Sequence, residues 1–283
     1  MSLVDFKKNN MRYFKELNNK SYIFNKKNND FFKTYDESSF TKRIILKKQV
    51  KLLKCSGEIS GFIWYEVNND IVTINSMYVD GNKSELYKEF INLIEAEYFQ
   101  YYCEKNDINL TILNDIGFTK REGNLVLKKK IENRVKTSPL KDIWIRTLIK
   151  GKDEAIRCRI QNEIFDNKNR IPLTINDIYF DEIQDYCIEG GSLFIENRKE
   201  VIGYGQIILE HGRVTIVNFG IISNYRGLGY GELFINELIN ILYNKNCKEV
   251  YIKVDSRNIK AYNLYKKVGF NLEKEINLYK FKK

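Results

Sequence analysis

Polar and apolar positions change period repeatedly along this chain of 283 residues, and the changes mark out short strands and helices. Residues 201–210 and 213–222 are β-branched and aromatic runs separated by His211-Gly212, which reads as a hairpin. Residues 142–149 and 192–197 alternate as two further strands. Helical spacing runs over 153–165 and again over 232–243, where Phe234, Ile235, Leu238, Ile241 and Leu242 share one side. Thr174, with Asp177 three residues on, forms a capping-box pattern for a short helix to Asp185. A strand at 249–254 follows. Asn258 suits the N-cap of a helix over 259–268, whose apolar face is Ala261, Leu264, Tyr265 and Val268, and Gly269 is its stop. Residues 271–281 make a last strand. The order β-α-α-β-β-β-α-β-α-β predicts an α/β domain with a mixed sheet.

The same pattern occurs earlier in the chain. Residues 59–74 lie without gaps over residues 201–216: Gly61 meets Gly203, Phe62 meets Tyr204, and Val72-Thr73-Ile74 meets Val214-Thr215-Ile216. Farther on, Gly117-Phe118 echoes Gly269-Phe270, and the tail from Gly123 echoes the tail from Ile276. Three echoes in one order predict two copies of one fold. The polar, charged stretch around residues 131–141 contains Pro139, one of only two prolines, and reads as a linker between a domain at 1–130 and a domain at 142–283.

Composition narrows the class. With 43% apolar and 30% charged residues the chain can bury real cores. Its longest uncharged apolar stretches are far shorter than the roughly 20 residues of a spanning helix, and the N-terminus has no apolar leader segment. Five cysteines, an odd number without metal-ligand spacing, suit a reducing cytoplasm. A single histidine, His211, argues against a histidine-rich metal site, and no metal site is expected. The net charge of +10 invites a nucleic-acid partner. It divides, however, into +6 over residues 1–140 (24 Lys and Arg against 18 Asp and Glu) and +4 over the remainder (23 against 19), so no basic face stands out and nucleic acid is not the expected partner.

The sharpest chemical signal is Tyr225-Arg226-Gly227-Leu228-Gly229-Tyr230-Gly231 between a strand and a helix. Glycines there permit positive φ and a close approach of backbone to ligand, and a helix start behind them offers free N–H groups to a phosphate. Glu232 stands where a dinucleotide fingerprint needs glycine, and a Walker loop would need G-K-[ST]. Arg226-x-x-Gly229-x-Gly231 resembles the Q/R-x-x-G-x-G/A motif of the GNAT superfamily of N-acetyltransferases. Asn258-x-x-Ala261-x-x-Leu264-Tyr265-x-x-x-Gly269-Phe270 resembles the same family's N-x-x-A-x-x-L-Y-x-x-x-G-F segment. The likeness covers roughly residues 142–283.

That resemblance implies two tandem GNAT-like domains, each a mixed, mostly antiparallel sheet flanked by helices. It implies acetyl-CoA in a wedge between two splayed parallel strands. Phe219, Gly220 and Ile221 would border the pantetheine arm, the backbone of Arg226, Gly227, Leu228, Gly229, Tyr230 and Gly231 would hold the pyrophosphate, and Asn258 would steady the wedge or simply cap its helix. Tyr265 would protonate the leaving thiolate, with a core tyrosine as the plainer role. The implied reaction is direct transfer of acetyl to a primary amine; the alternative is an inactive CoA-binding or interaction protein of the same fold. The base is left open among water, Glu189 and Glu196. The first copy departs from the motifs: Asp80–Tyr87 has one glycine, and Leu113 falls where Tyr265 stands, so it reads as a degenerate copy without an intact CoA loop. Between residues 171 and 197 there is no Lys or Arg, while Asp177, Asp181, Glu182, Asp185, Glu189 and Glu196 are present. In the resembled fold this stretch borders the acceptor side, which points to a cationic amine.

Overall fold

The computed structural model describes residues 1–138, 140–167 and 170–283, so Pro139 of the expected linker lies outside the described residues. The chain forms two compact units, Met1–Asn124 with Lys274–Lys283, and Leu125–Glu273.

The first unit opens with β1 (Ser2–Asp5), three helices α1 (Met11–Phe24), α2 (Phe31–Asp36) and α3 (Phe40–Lys48), and the meander β2 (Val50–Cys55), β3 (Glu58–Asn68) and β4 (Ile71–Val79). Then come α4 (Ser84–Asn92), β5 (Tyr98–Glu104), α5 (Asp107–Asp115) and β6 (Thr119–Lys130), within which the unit boundary falls. Asn69 and Asp70 take positive φ in the turn between β3 and β4, a conformation that Asn and Asp adopt more readily than other side chains. The core is aromatic: Phe14, Phe24, Phe31, Phe62 and Phe99 are all buried.

The second unit contains β7 (Ile143–Thr147), α6 (Glu154–Ile164), α7 (Ile175–Glu182), the meander β8 (Cys187–Asn197), β9 (Val201–Glu210) and β10 (Arg213–Ile221), then α8 (Tyr230–Asn244), β11 (Glu249–Asp255) and α9 (Ile259–Lys267). Its core is aliphatic, built from Ile195, Ile202, Ile235, Leu238, Val250 and their neighbours. Thr174 and Asp177 close the expected capping box of α7, and Asn258 caps α9 by accepting from the Ala261 N–H at 3.1 Å.

The last strand, β12 (Asn271–Lys282), corrects the expected domain limits. The sequence places it in a second domain that runs to residue 283. In the structure β12 pairs antiparallel with β5, from Ile276 opposite Glu104 to Lys282 opposite Tyr98, and residues 274–283 belong to the first unit. Packing gives the reason: Phe281 stacks on Phe118 at 5.2 Å and Tyr279 is buried in the aromatic core. In turn, the later part of β6 serves the second unit, where Leu127 joins the aliphatic core. Residues 131–138 are not a free tether either. Val135 exchanges two hydrogen bonds with the Asn240 side chain on α8, and Ile131 N–H donates to Lys248 O at 2.8 Å.

Candidate active site

In the first unit β4 runs parallel to β5, in the second β10 runs parallel to β11, and each pair parts company early. β10 and β11 are in register only at Thr215 opposite Tyr251 and Ile216 opposite Ile252. Just beyond, β10 carries a bulge: it advances from Val217 to Gly220 while β9 advances only from Gln206 to Tyr204. The extra residue bends β10 and ends its pairing with β11. Asn218 absorbs the bend at φ +51°, in the left-handed region. The result is a fork whose β10 side is Val217–Ile221, including the expected Phe219, Gly220 and Ile221. Glycine is required at position 220 because a Cβ there would lie 2.3 Å from the Ile164 methyl Cγ2 on α6.

The glycine-rich turn lies between the end of this strand and α8. Gly227 and Gly229 sit at φ +81° and +85°, and space is open around each Cβ position. Gly229 is the N-cap of α8 and supplies no side-chain acceptor. The N–H groups of Gly227, Leu228 and Gly229 meet no acceptor among the described residues, and the first-turn N–H groups of α8 follow them as the usual orphans of a helix start. The donor run begins later than the sequence implies. The Arg226 N–H is used by Ser223 O at 3.2 Å, and its guanidinium bonds Ile221 O at 2.7 Å and Ile164 O at 3.0 Å. Arg226 therefore braces the turn against β10 and α6. Gly231 has a packing role, since a Cβ there would press on Leu264 of α9 at 3.3 Å. Tyr230 packs its ring near Tyr225, and Leu228 is exposed.

Tyr265 projects from α9 into this region. Its ring lies 6.2 Å from Phe219 and 6.1 Å from Phe270, and only 5% of the residue is exposed. Among the described residues its hydroxyl has no hydrogen-bond partner, and burial pushes its pKa well above the ordinary phenol value. Such a group holds its proton across the physiological range. Asn258 is engaged as the α9 cap through its side-chain oxygen.

The acidic stretch of 171–197 is mostly paired, against expectation. Arg157, 1% exposed on α6, donates to Glu182 and, at 2.5 Å, to Asp181 on α7. Burial raises the Asp181 carboxyl, yet hydrogen bonds from Tyr186, Arg157 and Gln206 outweigh it and leave the pKa below the usual carboxylate value. Asp177 is spent on the α7 cap, and Glu196 is bound by Arg146 at 3.0 Å. Asp185 and Glu189 are exposed, and among the described residues their carboxylates have no partner. A buried arginine on the inner face of α6 opposite a lone glutamine in the apolar strand 201–210 is the signal that would have exposed this cluster in the sequence.

The first unit closes the corresponding fork with its own chain. β4 and β5 pair only from Ile71 opposite Tyr98 to Ile74 opposite Tyr101, and β4 bulges at Asn75. The segment after α1 then enters. Asn28 donates to Met77 O at 3.1 Å, Asn29 N–H donates to Asn75 O, Asn25 donates to Tyr102 O, and Asn25 accepts from the Glu104 N–H. Asn106, at the position matching Asn258, caps α5 and donates to Phe24 O; Leu113, matching Tyr265, is fully buried. At the start of α4 the Tyr87 hydroxyl occupies the Val79 N–H at 3.1 Å.

Comparison with known proteins agrees with this geometry. Residues 161–270 match the Acetyltransferase (GNAT) family. A mycothiol acetyltransferase of Amycolatopsis mediterranei is 27% identical over 168 residues, 54% of this chain and 55% of the relative. A [ribosomal protein bS18]-alanine N-acetyltransferase of Haemophilus influenzae is 34% identical over 79 residues, 27% of this chain and 51% of the relative. The chain thus spans about half the length of these curated relatives. Among solved structures, a GCN5-related N-acetyltransferase from Sphaerobacter thermophilus superposes with a TM-score of 0.62 at 16% identity, covering 99% of this chain and 95% of the other, which is a likeness of fold. The family match spans the bulged strand, the glycine turn, α8, β11 and α9, so over residues 161–270 the second unit is similar to the GNAT acetyltransferase family.

Proposed function

We propose that the second unit transfers an acetyl group from acetyl-CoA directly to a primary amine. One juxtaposition carries the reading: the fork between β10 and β11, the unpaired N–H groups of residues 227–229, and the unpartnered Tyr265 hydroxyl belong to consecutive elements of one unit. These residues fit the donor. The edge of β10 from Val217 to Ile221 is free of β11 and can pair with an amide-bearing arm. The Gly227–Gly229 amides and the α8 dipole can hold a pyrophosphate where no Cβ intrudes.

When bound, acetyl-CoA supplies an acyl carbon activated as a thioester. The chain's residues do the rest. A lysine-like amine has an unperturbed pKa of about 10.4 and arrives protonated, so a proton leaves it before attack. Glu196 is committed to Arg146, and water at the fork is the remaining route for that proton together with exposed Glu189. Tyr265, still protonated, would be the group that gives a proton to the leaving sulfur. The fork of the first unit is filled by residues 25–29, so acetyl-CoA binds the second unit alone. Five free thiols suit a cytoplasmic setting. Asp185 and Glu189 would favour a cationic acceptor.

Tyr265→Phe tests the reading. It removes one oxygen from a packed ring, so CoA affinity by calorimetry should stay within about twofold. General-acid assistance is worth roughly 10² to 10⁴, and kcat for thiol release should fall by that factor. An unchanged kcat with chemistry rate-limiting would return Tyr265 to the core.

A further inference from the structure

The residue at the β10 bulge ends a hydrogen-bond chain whose polarity is fixed from the interior outward. Arg157 can only donate, and the Asp181 carboxylate can only accept. Gln206 lies between them, 1% exposed: its Oε1 accepts from Arg157 Nη2 at 3.2 Å, and its Nε2 donates to Asp181 Oδ2 at 3.0 Å. The amide cannot turn over, because reversal would set NH₂ against guanidinium and carbonyl against carboxylate. Gln206 Oε1 is also the atom facing Asn218, at 2.9 Å, so Asn218 has to present its Nδ2 there. Its Oδ1 is left over, an oriented acceptor with no partner among the described residues.

The position adds meaning to the orientation. Asn218 is half-buried, holds a left-handed backbone at φ +51°, and stands two residues past the last β10–β11 pair, where the fork opens. Non-glycine residues in that region persist where the surroundings over-determine them, and they cluster at functional sites. We propose that Asn218 Oδ1 accepts a hydrogen bond from the N–H of the incoming amine and thereby sets which acceptors are used: primary amines, which keep an N–H to donate after the reacting proton has left, over secondary amines, whose single N–H proton is the one lost. This deepens the acetyltransferase reading of the second unit and rests on it. Asn218 gains and loses no proton. It turns the nitrogen so that the lone pair is free for the acyl carbon, while Arg157, Asp181 and Gln206 act through it as positioning residues.

Asn218→Gly is the clean variant, since glycine accepts φ +51° and only the amide is lost. Alanine amide, ethanolamine and spermidine serve as probe amines. For whichever of them turn over, the variant should raise the amine KM or lower kcat/KM about tenfold, as one lost hydrogen bond implies, with the acetyl-CoA KM and calorimetric CoA affinity unmoved. An unchanged kcat/KM in a variant that still binds CoA overturns the assignment. A second readout is independent of turnover. In the CoA-bound wild type, the Asn218 side-chain ¹H–¹⁵N resonances, identified by their absence from the Asn218→Gly spectrum, should shift on titration with the probe amines. No shift with any probe overturns the assignment even in an active enzyme. CoA binding without turnover for every probe, with the shift present, would instead count against the transferase reading while supporting Asn218 as an amine contact.

Discussion

Asn28 offers the most demanding test of why the first unit has the fold without the chemistry. Its side chain is 4% exposed and makes three contacts shorter than 3.2 Å: donation to Met77 O at 3.1 Å and to Ser21 O at 3.0 Å, and acceptance from the Tyr101 hydroxyl at 2.5 Å. Asn28→Ala deletes all three and leaves the buried Tyr101 phenol, whose pKa burial already raises well above its ordinary value, with Asn25 as its remaining side-chain partner. A net intramolecular hydrogen bond is worth about 1 kcal/mol, and each buried group left unpaired costs roughly 1–3 kcal/mol. Allowing for partial relaxation, the expected loss is about 3–5 kcal/mol, a large share of the roughly 5–15 kcal/mol that holds a domain together. Urea unfolding followed by Trp64 fluorescence reads this unit, because Trp64 is buried in its core whereas Trp144 lies exposed in the other. The midpoint should fall sharply, with CoA affinity retained under native conditions. A loss below about 1 kcal/mol would mean that the asparagine insert does not hold the fork closed.

Two further outcomes follow from packing and charge. Gly220→Ala sets a Cβ 2.3 Å from the Ile164 Cγ2 and should destabilise the second unit by about 1–3 kcal/mol in thermal or urea unfolding, and Ile164→Ala in the same chain should recover most of that; a neutral single variant would contradict the fork geometry. Asp185→Asn with Glu189→Gln should raise the KM of a cationic amine at low salt and have little effect at high salt, where screening already removes the steering, and an acceptor KM unaltered at low salt would end the case for a cationic acceptor.

The second unit was legible because its local signals and its tertiary structure agree. The Thr174–Asp177 box, the Asn258 cap and the 232–243 stripe each rest on spacing within a few residues, and each recurs in the structure. Strand β12 was misplaced because alternation states that a strand exists and says nothing of its neighbour; Phe281 and Tyr279 decide that by finding an aromatic core at the other end of the chain. The loss of Arg226-x-x-Gly229-x-Gly231 from the first copy could be read directly, whereas its sealing by Asn25 and Asn28 could not, since asparagines between helices look like ordinary turn residues. The acidic stretch misled for a similar reason. Composition counts carboxylates, and only the fold reveals that Arg157 reaches Asp181 and Glu182 from another helix.

Calorimetric titration of the full chain with CoA, set beside the Gly229→Glu variant, bears most directly on the central claim. The account requires one site per chain in the wild type. It also requires that site to vanish in the variant, because the glutamate would place bulk and negative charge where N–H groups await a pyrophosphate and would strain a φ of +85°. Two sites of similar affinity, or one that survives Gly229→Glu in a folded protein, would contradict it.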